Sequence, residues 1–113
     1  MEIQYRSASG RLLIKVDGNT QKEVFEKLAS AQEVFDSEDK CGVCGKTNIR
    51  FRVRHVAKGS QAFDYFELLC HDCNARLAFG QSTDKISLFP KRKDQENNWL
   101  PNRGWAQWKP HED

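Results

Sequence analysis

Residues 41–74, CGVCGKTNIRFRVRHVAKGSQAFDYFELLCHDCN, place a Cys-x-x-Cys pair at each end of two alternating runs rich in aromatic and β-branched residues. The runs NIRFRVRHVA and FDYFELLC flank the turn sequence KGSQ, a pattern that predicts an antiparallel hairpin starting near one pair and ending at the other. With 25 residues between the inner cysteines, the hairpin returns Cys70 and Cys73 to Cys41 and Cys44. Two residues between thiolates let both sulfurs of one tight knuckle reach a single tetrahedral ion at about 2.3 Å, and four thiolates close the coordination shell of Zn²⁺. The spacing therefore predicts one structural Zn²⁺ held by Cys41, Cys44, Cys70 and Cys73. Gly45 and Asn74 follow the two knuckles at equivalent positions, and both residue types tolerate the left-handed backbone expected there.

Three other readings compete: a thioredoxin-like redox pair, an iron–sulfur centre and a catalytic zinc. Redox chemistry usually places one Cys-x-x-Cys at a helix start in a βαβ setting, which is absent from the pattern. A catalytic zinc keeps an open position that four thiolates do not leave. His71 lies inside a complete Cys-x-x-Cys and reads as a knuckle-loop side chain rather than a fifth ligand.

Upstream, EIQYR and RLLIKVDG read as two short strands joined by SASG, with Leu12, Ile14 and Val16 alternating against Leu13 and Lys15. TQKEVFEKLASAQEVF follows. Thr20 and Glu23 form a capping-box pattern, and Val24, Leu28, Ala31 and Phe35 recur at helical spacing, predicting a helix from about residue 20 to 36. Downstream, KISLFP reads as a last strand, and no regular period is visible from Lys91 onward. At 113 residues the chain has room for one domain, expected as a ββα unit over 1–39, a zinc ribbon over 40–90 and a C-terminal segment over 91–113. The fold class expected is α+β, with the ββα unit packed on an antiparallel four-cysteine ribbon.

The net charge of +2 conceals an uneven distribution. Residues 1–39 carry five basic and eight acidic side chains (−3), residues 40–93 eleven and four (+7), and residues 94–113 two and four (−2). A local basic field of this kind attracts phosphates. Between Asp39 and Asp64 no acidic residue interrupts Lys40, Lys46, Arg50, Arg52, Arg54 and Lys58. On a strand Arg50, Arg52 and Arg54 share one face and Phe51 and Val53 the other. Three arginines in register repel one another unless something anionic meets them, so Arg50, Arg52, Arg54 and Lys58 are candidate phosphate contacts, with Lys91, Arg92 and Lys93 extending the track. The alternative is a solvated outer face.

Bases stack on aromatic rings while basic side chains track the backbone, a combination suited to single-stranded nucleic acid. Among Phe63, Tyr65, Phe66 and Phe79 most are expected in the core, with Tyr65 the candidate for a wet edge. Trp99, Trp105 and Trp108 fall within ten residues of polar sequence. They read either as a strap that covers the fold or as stacking surfaces, with Trp105 and Trp108 the stacking candidates.

Several function classes are disfavoured. No apolar run approaches the roughly 18–20 residues of a spanning helix, and MEIQYRSASG lacks the apolar stretch of a signal peptide, so a cytosolic protein with no membrane partner is expected. His55, His71 and Asp72 are the candidate catalytic groups, but no nucleophile–base pair, phosphate loop or second metal cluster accompanies them, so neither catalysis nor a small-molecule substrate is expected.

The segments TQKEVFEKLASAQEVF, CGVCG, FDYFELLCHDCNARLAFGQ, LFPKRK and NNWLPNRGW together resemble a family of small zinc-ribbon proteins encoded by bacteriophages near DNA replication or recombination genes. The resemblance spans residues 12–108. It implies a host bacterial cytoplasm and a DNA-related role; taken with the basic strand and the aromatic rings, the function expected is non-catalytic binding of single-stranded DNA, accessory to phage DNA replication or recombination, with a phage or host replication or recombination protein as a further partner. Gly is usual after the second knuckle in that family, so Asn74 is a mild departure. The rival expectation is a protein-interaction adaptor, or an inhibitor of a host or defence protein.

Overall fold

The computed structural model describes residues 1–83 and 87–107. It is α+β, with one α-helix and antiparallel sheets, and it divides into two compact units, Met1–Asp39 and Lys40–Asp113. No helix among the described residues is long and apolar enough to cross a membrane.

In the N-terminal unit, β1 (Glu2–Arg6) pairs antiparallel with β2 (Leu13–Asp17), and α1 (Gln21–Phe35) follows. Helix entry rests on Thr20, whose hydroxyl accepts from the Glu23 amide while the Glu23 carboxylate accepts from the Asn19 amide one residue before the cap. Val24 is buried and Ile14, Val16 and Leu28 are half-buried, whereas Leu13 on the opposite side of its strand is exposed, as the alternation requires. The link between the strands is tied to the residues after the helix. Buried Glu38 accepts from Ser7 and Ser9 and pairs with Arg11 at 2.7 Å, so a carboxylate that would be costly alone is fully partnered.

In the C-terminal unit, β3 (Ile49–Lys58) and β4 (Gln61–Cys70) form the expected hairpin around a two-residue turn in which Gly59 has φ 60°. Lys58 pairs with Gln61, and counting outward from the turn fixes the rest of the register: Arg54 opposite Tyr65, Arg52 opposite Glu67, Arg50 opposite Leu69. β5 (Ala75–Gln81), which the periodicity did not single out, follows the second knuckle directly and pairs with β4. β6 (Leu88–Pro90) pairs with β5 near one end. The first part of KISLFP, Lys85 and Ile86, lies outside the described residues.

The tail is more ordered than its composition suggests. After Lys91 the chain makes a tight turn in which the Asp94 carboxylate accepts from the amides of Glu96 and Asn98, then a second turn at Pro101–Gly104 with left-handed backbone at Asn102 and Arg103. The described residues then run through β7 (Trp105–Gln107), which pairs with the other end of β5. Leu68, Leu77, Ala75, Ile49, Phe79 and Trp105 are buried and, with Cys41 and Cys70, form the core of this unit.

Candidate metal centre and basic sheet face

The two knuckles are built alike. In each, the amide of the fifth residue returns to the first cysteine's carbonyl, Gly45 to Cys41 at 3.0 Å and Asn74 to Cys70 at 2.9 Å. Both turning residues are left-handed, with φ 73° at Gly45 and 66° at Asn74, so Asn74 fills the role that Gly fills in the first knuckle. The Val43 amide donates to the Cys41 sulfur at 3.3 Å.

The hairpin then brings the knuckles together. The four sulfurs all lie within 4.8 Å of one another, with Cys41–Cys73 and Cys44–Cys70 each at 3.6 Å. A tetrahedral ion with metal–sulfur bonds of about 2.3 Å separates its ligands by about 3.8 Å, so the cluster fits a single ion. Cys41 and Cys70 are buried and Cys44 faces solvent. Burial first, and then hydrogen bonding among the neighbouring thiols, pushes the Cys73 thiol up to about 12. His71 is exposed and stands outside the cluster.

On β3, Arg50, Arg52 and Arg54 share one face as expected, but Arg52 and Arg54 do not lack an acid. Glu67, directly across the hairpin from Arg52, is buried beneath them. Its carboxylate accepts from Arg52 at 2.6 Å and from Arg54 at 3.0 Å, and its second oxygen lies 3.5 Å from Arg76 of β5. The inference that these arginines require an external anion is corrected accordingly: 15 residues of sequence hide a contact that the register creates. The KGSQ turn held the missing signal, since counting from its centre pairs residue 52 with 67. The correction is partial, because three guanidiniums on one carboxylate leave a surplus of two positive charges. Burial lowers the Arg76 pKa from its ordinary value, which Glu67 opposes, and an arginine stays charged regardless.

Glu67→Gln is expected to cost about 2 kcal/mol in denaturant unfolding. That lies below the usual loss for a broken buried pair because the freed guanidiniums are more than a quarter exposed and can rehydrate. An unchanged unfolding midpoint would show that the cluster is held by its surroundings rather than by the carboxylate.

The aromatic residues on this face are not core. Phe63, Tyr65 and Phe89 are 40%, 43% and 43% exposed, so Phe63 joins Tyr65 at the wet edge, together with Phe89, an aromatic not weighed in the sequence. Tyr65 carries the Arg54 guanidinium over its ring at 5.1 Å. Phe89 lies opposite Gly80, and a Cβ on Gly80 would come within 2.5 Å of the ring, so glycine is what lets that ring lie against the sheet. Phe79, by contrast, is buried and Phe66 is half-buried on the opposite face.

The remaining candidates separate. Arg50, Lys58 and Lys91 are exposed. Arg92 donates to the Arg103 carbonyl at 2.9 Å and so braces the tail, and the Lys93 ammonium sits 4.7 Å from the Trp99 ring centre. Trp105, expected as a stacking surface, is 4% exposed: its indole lies against Gly42 of the first knuckle, where a Cβ would meet the ring at 2.5 Å. Burial removes it from the stacking candidates and makes it the strap. Trp99 is the reverse case, 66% exposed rather than covering the fold. Trp108 lies outside the described residues. His55 and Asp64, cross-strand partners bonded at 2.6 Å, form an exposed pair.

No protein-family model matches the chain, and comparisons with curated proteins and with solved structures found no match.

Proposed function

We propose that the C-terminal unit is a zinc ribbon that binds single-stranded DNA on its arginine-bearing face without catalysing a reaction. The all-sulfur donor set and its tetrahedral spacing support Zn²⁺ in a closed, structural role. The observation that carries the binding reading is the shared face. Phe63, Tyr65 and Phe89 stand exposed beside a guanidinium cluster with surplus positive charge, so rings for bases and cations for phosphates lie on one sheet. In an accessory role in phage DNA replication or recombination in a host cytoplasm, the setting that the family resemblance implies, such a face would hold an exposed strand.

Titration with single-stranded oligonucleotides at several salt concentrations tests the reading. Affinity should fall with salt at a log–log slope of roughly −0.7 per phosphate contacted. Arg50→Glu, at a residue not bonded to Glu67, should raise Kd about tenfold or more at low salt, and Phe89→Ala should cost about 1–3 kcal/mol with little change in slope. Binding that is absent at low ionic strength, or indifferent to salt, would sink the proposal. The adaptor reading keeps one specific support in Trp99, an exposed indole of the type that anchors protein partners. A protein partner would be lost on Trp99→Ala and retained on Arg50→Glu.

A further inference from the structure

Beside the first knuckle lies a cavity of about 290 Å³ whose walls include Val43, Leu100, Pro101, Asn102, Trp105 and Ala106. The backbone beside it is unusual. Asn102, Arg103 and Gly104 are left-handed in succession, with φ 55°, 57° and 96°. Each non-glycine residue in that region costs about 1–2 kcal/mol, and Arg103 has no local compensation of the kind Asn provides. Buried Trp105 on one side and the Arg92 bond to the Arg103 carbonyl on the other hold the turn in place. The strained turn thus maintains an apolar recess whose lining includes Asn102 and Gln107, the Gln107 amide nitrogen donating to the Cys73 carbonyl at 3.3 Å.

The volume sits at the small end of ligand pockets, which run from about 300 Å³, and suits one flat ring system rather than a whole nucleotide. Apolar walls suit the faces of such a ring, and Asn and Gln amides are the side chains that pair with base edges. Ala106 is the cross-strand partner of Arg76, and Arg76 belongs to the Glu67 cluster, so one wall residue of the recess stands on the strand next to the basic face.

We propose that this cavity receives one unstacked nucleobase of the strand bound on the guanidinium face, with the Asn102 amide and the Gln107 amide oxygen meeting its edge. The proposal rests on the nucleic-acid reading above. The test measures binding of a short single-stranded oligonucleotide and of a set in which one abasic site is moved along it. Wild-type protein should lose about tenfold in affinity when the abasic site falls at one particular position. Val43→Trp, at an exposed residue of the lining, should weaken the intact oligonucleotide by a similar factor and abolish sensitivity at that position while leaving the salt slope unchanged. Asn102→Asp, which keeps a residue tolerant of the left-handed backbone, should give the same loss, and metal content and circular dichroism confirm that each variant is folded. If both variants retain the wild-type abasic profile, the cavity is not a base site, the result also expected if it takes an aromatic side chain of a protein. That outcome overturns this inference and leaves the nucleic-acid reading standing. Failure of wild-type protein to bind any oligonucleotide overturns both.

Discussion

Cys70→Ser is expected to abolish the cooperative unfolding transition of the C-terminal unit, and a strong chelator is expected to do the same to the unaltered protein. Cys70 ends β4, is fully buried, and contributes a sulfur 3.6 Å from that of Cys44. A hydroxyl cannot replace it as a thiolate ligand. The effect is large because the apolar core around it is small: besides the ligands Cys41 and Cys70, the buried apolar residues described in this unit are Ile49, Leu68, Ala75, Leu77, Phe79 and Trp105. Where a core is that limited, metal binding free energy, on the order of 10 kcal/mol, becomes folding free energy. The measurements are metal content by elemental analysis and thermal unfolding by circular dichroism. A Cys70→Ser protein that melts like the wild type would mean that the sulfurs merely pack together.

The pH dependence has a definite sign. Burial, followed by the neighbouring thiols, raises the Cys73 pKa to about 12, which favours the protonated form, and ligation must displace that proton. Metal affinity should therefore weaken as pH falls, and acidification should release the ion and unfold the ribbon together.

Trp105→Ala is expected to cost about 3–5 kcal/mol, the range for truncating a buried aromatic. Trp105 is opposite Leu77 across the β5–β7 ladder and lies against Gly42 between the two ligands of the first knuckle. Its removal should also loosen metal binding by about 10–100-fold, as loss of groups supporting a ligand shell does, which competition with a chromophoric chelator would read. Trp99→Ala, at an indole 66% exposed, should change stability by less than about 0.5 kcal/mol. Equal costs for the two substitutions would refute the division of labour between them.

The metal cluster was legible because a Cys-x-x-Cys knuckle is a local structure. Its turn needs only Gly45 or Asn74 to accept a left-handed backbone, and neither needs a distant contact to do so. The helix was legible for the same reason, since its cap and its apolar spacing lie within 16 residues and the observed Gln21–Phe35 follows Thr20 directly. The basic face was half legible: alternation placed Arg50, Arg52 and Arg54 on one side, but their counter-charge lay on another strand. Phe63 could not be told from Phe66 and Phe79 in advance, because aromatic identity does not say which sheet face is covered.

The amino-acid sequence by itself determined the knuckles, the hairpin and the helix of this protein, each set by spacing, turn chemistry or a cap within one short segment. Tertiary structure alone decided the rest. Strand register set Glu67 under three guanidiniums, β7 pairing buried Trp105 while Trp99 stayed outside, and a glycine on one strand let Phe89 of another lie flat. Those outcomes depend on which side chains meet across hydrogen-bonded strands, and a side chain's burial or free charge belongs to that meeting rather than to its own position in the chain.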